Sequence, residues 1–490
     1  MAIDQGTTGT RALLYDRKAN LLASAYREFK QYFPTPGWVE HDPQKIWQST
    51  LQVMREAIER SRIPARQIAA IGMSNQRETT LLWDKTTGRP VHRAIVWQDR
   101  RTSEFCRRLK REGHENEFRE KTGLVLDPYF SGTKIRWLLD HVPGARRRAR
   151  RGQILFGTID SWLLWKLTGG KSHATDYTNA SRTLLFNIRK RHWDDRLLRI
   201  LDIPPAILPK AQDSGSFFGQ TAAQGFLPPG IPVLSIMGDQ QAALYGQACY
   251  GPGQVKNTYG TGCFIMINLG SAFKKPPFGV LATLCCDEEG KSAYAFEGSV
   301  FIAGAVVQWL RDGLEFFKDA KQTESLAKSV KDSGGVILIP AFTGLGSPYW
   351  NPQVRGIISG LTRGTRRAHI VRAALESIAY QTADVVERIK DQTRIPIRAL
   401  KVDGGATQNK FLMQFQADLL GIPIWVSRVS EATAWGAAKL AGKALGLWPS
   451  LKSIDEKFSF DRFLPRMSRP KIKGLRAKWK SEMNRLLAKF

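Results

Sequence analysis

Four short segments of this chain combine residue types that can do chemistry on a phosphate-bearing ligand and on an alcohol. In Asp4-Gln5-Gly6-Thr7-Thr8 an acidic residue ends an extended run and a turn of Gly and Thr follows. Glycine lets the backbone approach a ligand closely, and successive N–H groups form an anion-binding concavity. The hydroxyls of Thr7 and Thr8 add donors, and Asp4 stands where a phosphate-bound Mg²⁺ can be held through water. Arg11, at the base of the next strand, reaches the same anion; a plain hairpin turn is the competing reading. In Gly238-Asp239-Gln240-Gln241 an Asp at a strand end, beside an amide, suits a general base on a hydroxyl, or a helix N-cap. In Asn75-Gln76-Arg77-Glu78-Thr79-Thr80 a donor fork and an acceptor stand side by side, as a polyol requires; a surface ion pair is the alternative. In Val402-Asp403-Gly404-Gly405-Ala406, followed by Gln408-Asn409, two glycines admit a flat group such as adenine and Asn409 can bond its edge, or the segment is a tight strand-to-helix turn.

These segments need strands and helices to hold them. Short apolar runs at 68–73, 154–156, 233–236, 263–267, 336–339 and 399–402 read as strands. The stretches 44–61, 304–317, 368–392 and 410–421 read as helices, and the alternation implies α/β architecture. A faint internal echo relates the halves. The turn at residues 4–9 and Asn257-Thr258-Tyr259-Gly260-Thr261-Gly262 are both Gly/Thr turns between extended segments, about half the chain apart. Two similar halves, each giving one turn to a shared cleft, are expected, with a boundary near residues 246–253.

Length and composition narrow the class. At 490 residues the chain holds two to four domains. The excess of 73 Lys and Arg over 44 Asp and Glu, +29, favours anionic partners and is silent on fold. No apolar run approaches the roughly 18 residues of a membrane span, and residues 1–4 do not begin a secretory signal. Five scattered cysteines with no C-x-x-C pair argue against a disulfide framework or a structural zinc, and fit a cytosolic protein. P-loop, G-x-G-x-x-G and G-x-S-x-G motifs are absent. Two basic stretches, 146–151 and the tail from Leu464, remain. In the tail Leu475, Trp479, Met483 and Leu486 recur at helical spacing, which predicts a helix packed by one face, against a membrane-surface or nucleic-acid role.

Taken together, these segments resemble the FGGY carbohydrate kinases, within the actin–hexokinase–Hsp70 ATPase superfamily, and among them those acting on glycerol. The likeness runs from Ala2 to about Phe463. It also rests on Pro36-Gly37-Trp38-Val39-Glu40-His41-Asp42-Pro43, Ala94-Ile95-Val96-Trp97-Gln98, Asp127-Pro128-Tyr129-Phe130-Ser131-Gly132-Thr133-Lys134, Tyr259-Gly260-Thr261-Gly262-Cys263 and Pro340-Ala341-Phe342-Thr343-Gly344-Leu345-Gly346, in family order and spacing. The resemblance implies two ribonuclease-H-like α/β domains of the actin-like ATPase fold around a closing cleft. Residues 1–246 would bind glycerol and phosphate, and residues 247–490 the nucleotide.

It further implies ATP-dependent, Mg²⁺-assisted phosphorylation of glycerol to sn-glycerol 3-phosphate, the entry step of glycerol catabolism, in a cytoplasmic homodimer or homotetramer with no specific nucleic-acid partner. Another sugar or polyol kinase, for xylulose for example, and a weakly active member with a secondary anion-binding role are the alternatives. Asp239 takes the base role and, with Arg77, Glu78, Tyr129 and Gln240, holds glycerol, while Trp97 and Phe264 wall its carbon side. Asp4 is the Mg²⁺-associated carboxylate; Thr7, Thr8, Gly9, Arg11 and Thr261 meet the phosphates; Gly304, Gln308, Gly405 and Asn409 line the nucleoside site. Three departures stand out. Gly9 replaces the family's Ser, which predicts weaker ATP binding. Only three residues precede Asp4, which predicts a short first strand and a start truncated relative to the family. The loop 223–230 lacks Arg, Lys and His, which predicts little inhibition by fructose 1,6-bisphosphate.

Overall fold

The computed structural model describes residues 1–393, 395–428, 431–457 and 459–489. Two mixed sheets repeat one topology. In the first, the antiparallel meander Ala2–Gln5, Gly9–Tyr15 and Leu21–Glu28 is extended by Ile71–Asn75 and Pro232–Gly238, both parallel to Ala2–Gln5, with Gly219–Gln220 at the edge. In the second, the meander is Val255–Tyr259, Cys263–Gly270 and Ser292–Val300. Leu400–Asp403 and Ile424–Ser427 are the parallel additions, and Leu281–Cys286 and Phe460–Phe463 close the two edges. Each sheet thus runs third–second–first–fourth–fifth, the ribonuclease-H-like order the resemblance implied. The internal echo is real: each Gly/Thr turn joins the first and second strands of its sheet. The first strand is short, yet it is central and paired on both sides, Asp4 opposite Arg11 and Ser74.

Local sequence explains the main helices. Pro43–Ser61 starts where Asp42 caps, its carboxylate accepting from the Gln44 N–H at 2.8 Å, and Pro43 occupies a position where a missing N–H costs nothing. Ile46, Trp47, Val53, Met54 and Ala57 lie on one face and bury against the first sheet. The stretch 304–317 delivers a shorter helix, Gly304–Asp312, capped at Gly313. The strand expected at 68–73 lies instead at Ile71–Asn75, and its polar last residues are buried. The apolar run at 336–339 gives a three-residue strand, Ile337–Ile339, outside both main sheets.

The terminal basic stretch is the helix Arg469–Leu487, and it packs by one face through Trp479, Met483 and Leu486. One basic residue departs from a solvated face. Arg476 is buried and bonds Asp384 at 2.7 Å and Glu387 at 2.7 Å. The 146–151 run forms the helix Ala145–Arg150, where Arg146 and Arg148 pair with Asp202 and Asp84. All five cysteines are free and buried, and among the described residues no helix is long and apolar enough to cross a membrane.

The sheets meet through two equivalent helices, Asp239–Gly246 after the fifth strand of the first sheet and Ala432–Ala444 after that of the second. Their backbones nearly touch: a Cβ on Gly436 would lie 1.9 Å from the Ala242 carbonyl oxygen. The Ser235 hydroxyl donates to the Ala437 carbonyl at 2.7 Å, tying the second helix to the first sheet. Gly436→Val is therefore expected to force the helices apart and lower the thermal midpoint in calorimetry, overpacking costing roughly 1–3 kcal/mol; an unchanged midpoint would refute so close a crossing.

Candidate active site

The strand Ile71–Asn75 runs into Gln76-Arg77-Glu78 at the junction of the sheets. Glu78 adopts φ 59°, a strained conformation for a residue with a side chain. Its carbonyl is held by the Thr80 hydroxyl at 2.9 Å, the Ser131 hydroxyl at 3.1 Å and the Lys134 ammonium at 3.3 Å. Lys134 also donates to the Tyr129 carbonyl at 2.8 Å, so one buried cation fixes Glu78 and Tyr129 together. Burial pushes that ammonium down to about 7.

Arg77 and Glu78 are buried, which removes the surface-ion-pair reading. The tip of Arg77 forks onto Glu297, Nη1 at 2.5 Å and Nη2 at 3.1 Å. Its Nη2 also donates to the Tyr129 hydroxyl at 3.5 Å, and its Nε lies 3.3 Å from the Asp239 carboxylate. Arg182 completes the cluster, donating to Glu78 at 2.6 Å and Glu297 at 3.0 Å. Burial raises the Glu297 carboxyl, but Arg182 and Arg77 outweigh it and hold it down at about 2.

Asp239 is the first residue of its helix rather than its cap; Gly238 holds the cap position. The carboxylate accepts from the Gln240 N–H at 2.7 Å and is 31% exposed, so it is reachable from solvent. The Gln240 side-chain oxygen accepts from Lys256 at 2.5 Å, which leaves its NH₂ to donate. Lys256 also bonds Thr258 at 2.9 Å, and burial pushes its ammonium down to about 8. Trp97 meets Tyr129 edge-on at 5.7 Å and Phe264, from the second sheet, at 6.3 Å, making an apolar wall.

The first Gly/Thr turn closes through Gly6 N–H to Gly9 O at 2.9 Å. The Thr7 hydroxyl accepts from the Trp97 indole at 2.9 Å, which links this turn to the aromatic wall; Thr8 is exposed. Asp4 accepts from the Ser74 hydroxyl at 2.8 Å, and burial pushes its carboxyl up to about 6, with Asp239 and Glu431 adding to the rise. Arg11 is paired with Glu431 of the opposite half. One half-buried carboxylate with Asp239 and Glu431 near it suits a cation that keeps most of its water. Among the described residues no three carboxylate, His or Cys side chains form a cage, and Mg²⁺ needs none when phosphates complete its shell.

The second turn closes through Gly260 N–H to Gly262 O at 2.9 Å. The carbonyl of Thr261 accepts from Ala303 at 2.8 Å and that of Gly260 from Gly304 at 3.0 Å, so Thr261 and Gly304 adjoin. Gln308 is exposed one turn along, and Gly405 faces open space. Asn409 also has a structural role. It caps the helix Lys410–Leu420, its oxygen accepting from Leu412 at 3.0 Å and its nitrogen donating to Thr323 at 3.1 Å, which leaves one N–H and one lone pair.

Arg182, Lys134, Lys256 and Glu297 were not singled out by the sequence reading. For Lys256 and Glu297 a signal existed: each is the one charged residue in a buried, strand-forming run.

Two lobes of one repeated topology, each joining its first two strands through a Gly/Thr turn, make the actin-like ATPase fold, a fold used by phosphotransferases. The N-terminal-domain model of the FGGY family of carbohydrate kinases matches residues 1–246, and the C-terminal-domain model matches residues 255–445. The chain belongs to the FGGY family of carbohydrate kinases. It is 54% identical over 489 residues to the glycerol kinase of Stenotrophomonas maltophilia (strain R551-3), covering 100% of this chain and 98% of that one. It is 53% identical to glycerol kinase 2 of Thermotoga maritima, covering 99% and 98%. The crystal structure of Plasmodium falciparum glycerol kinase with ADP superposes with a TM-score of 0.93 at 36% identity, over 99% of this chain and 97% of that one.

Gly9 has a physical counterpart. A Cβ there would lie 2.6 Å from the Arg27 carbonyl oxygen and 2.6 Å from the Tyr26 ring, which itself stacks under the Arg11 guanidinium at 4.9 Å. Gly9→Ser is expected to raise the nucleotide KM rather than lower it, because the new side chain displaces Tyr26 and Arg11; a lowered KM in steady-state kinetics would show that the turn has room.

Proposed function

We propose that this protein transfers the γ-phosphoryl group of ATP to a terminal hydroxyl of glycerol, giving sn-glycerol 3-phosphate. The observation that carries the reading is the part-exposed Asp239 carboxylate, which shares the Arg77 guanidinium with Glu78 and adjoins Gln240. Relatives sharing more than half their residues with this chain and bearing that activity in their names support it.

Each hydroxyl of a triol both gives and takes a hydrogen bond. Arg77 and the Gln240 amide supply donors, Glu78 and Asp239 supply acceptors, and the aromatic wall receives the carbon side. Asp239 takes the proton of the terminal hydroxyl as its oxygen attacks the γ-phosphorus, and ADP leaves. Thr7, Thr8, the Gly9 N–H, Arg11 and Thr261 would hold the phosphates, Arg11 exchanging Glu431 for a phosphate oxygen. Mg²⁺, held through water by Asp4, would supply charge neutralisation at the phosphate oxygens. In this reading residues 1–246 bind glycerol and phosphate, residues 247–490 bind the nucleotide, and Gly304, Gln308, Gly405 and Asn409 line its nucleoside end.

Asp239→Asn is expected to lower kcat by roughly 10²-fold or more while the glycerol KM stays within about tenfold, since the base needs the charge and the hydrogen bonds persist. Turnover that survives the change removes Asp239 as the base. Faster turnover on xylulose than on glycerol, in a coupled ADP-release assay of the wild type, would replace the substrate. The loop 223–230 offers no cationic side chain to a sugar bisphosphate. Rates with and without fructose 1,6-bisphosphate are therefore expected to coincide, and inhibition at low concentration would place an anion site elsewhere.

A further inference from the structure

We propose that Glu297 is a positioning residue for phosphoryl transfer: it holds the Arg77 guanidinium at its tip and so keeps Asp239 free to accept the hydroxyl proton. This rests on the reading of Asp239 as the base. Arg77 and Asp239 belong to the first lobe, whereas Glu297 projects from a strand of the second sheet that is buried along its whole length. Glu297 engages both terminal nitrogens of Arg77, leaving Asp239 a single sideways approach to Nε at 3.3 Å.

The charges explain why this matters. Two guanidiniums, Arg77 and Arg182, face two carboxylates, Glu78 and Glu297, and every one of the four is buried. These four balance among themselves, and the buried Lys256 ammonium acts on both Glu297 and Asp239. Remove the charge of Glu297 and two buried arginines face one buried carboxylate. The carboxylate then nearest to Arg77 that can restore balance is Asp239. A guanidinium that turns onto Asp239 stabilises its anion and takes up its lone pairs, and such a carboxylate is a poorer proton acceptor.

The test is a compensation. Glu297→Gln is expected to lower kcat roughly a hundredfold with the nucleotide KM within about twofold of wild type, because the phosphate-binding turns are untouched. Arg182→Gln added to Glu297→Gln removes one positive charge as well and is expected to recover at least about tenfold in kcat. A double variant no better than the single one overturns the proposal, as does a single variant with unaltered kcat. If the single variant does not fold, recovery of a cooperative thermal transition in the double variant reports the same charge coupling, and its absence refutes it. All rates are compared on whichever alcohol the wild type phosphorylates best. Failure of glycerol as substrate then tells against the proposed function, and failure of compensation against Glu297.

Discussion

The buried ion pair between Arg77 and Glu297 is the constraint on which the candidate site depends. Its partners are 220 residues apart in the chain and come from opposite sheets. Taking two charges out of water is expensive, and an apolar pair of similar volume usually serves stability as well or better, whereas removing one partner alone costs several kcal/mol. A pair of this kind is therefore poorly explained by stability. It is well explained by geometry. Once Glu297 fixes the tip of Arg77, the Nε edge must face Asp239, the Nη2 edge must reach the Tyr129 hydroxyl, and Arg182 must bridge Glu297 to Glu78. Lys134 completes the frame from below, holding the backbone carbonyls of Glu78 and Tyr129. Few side chains in this arrangement can move alone.

Contiguous features of the site were legible in the sequence because each is a local event. A turn that must approach a ligand needs Gly and Thr together, and an Asp that ends a strand is visible beside the apolar run it ends. The repeat was legible for the same reason, since both turns use the same residue types. Features that depend on distant partners were not. Glu297 and Lys256 read as isolated charges in strand-like runs, and the partners that make their burial tolerable, Arg77 and Gln240, lie in the other half. The shift of the strand 68–73 to Ile71–Asn75 has the same origin. Ser74 and Asn75 look like a polar strand end, yet they are buried because Ser74 donates to Asp4 and Asn75 bonds Asn179 at 3.0 Å. Helix 304–317 ended early for a local reason, Gly313, that helical periodicity does not weigh.

The repeat is symmetric in topology and asymmetric in charge. In the first sheet Asp4, on the first strand, lies opposite Ser74 on the fourth; in the second sheet Thr258, on the first strand, lies opposite Asp403 on the fourth. Each lobe thus places one carboxylate and one hydroxyl at the same point of the fold, with the strands exchanged. The carboxylates differ in company. Asp403 has the Lys256 ammonium acting on it, and Lys256 spans from Thr258 to Gln240 of the other lobe. Asp4 has the Ser74 hydroxyl and Arg11 set against Asp239 and Glu431, and Arg11 is itself paired with Glu431 of the second half. Burial raises both carboxyls, Asp403 beside an ammonium and Asp4 beside a guanidinium that it shares with Glu431. In the proposed reading, a cation accompanying an anionic ligand is drawn to Asp4, on the lobe that also carries Asp239.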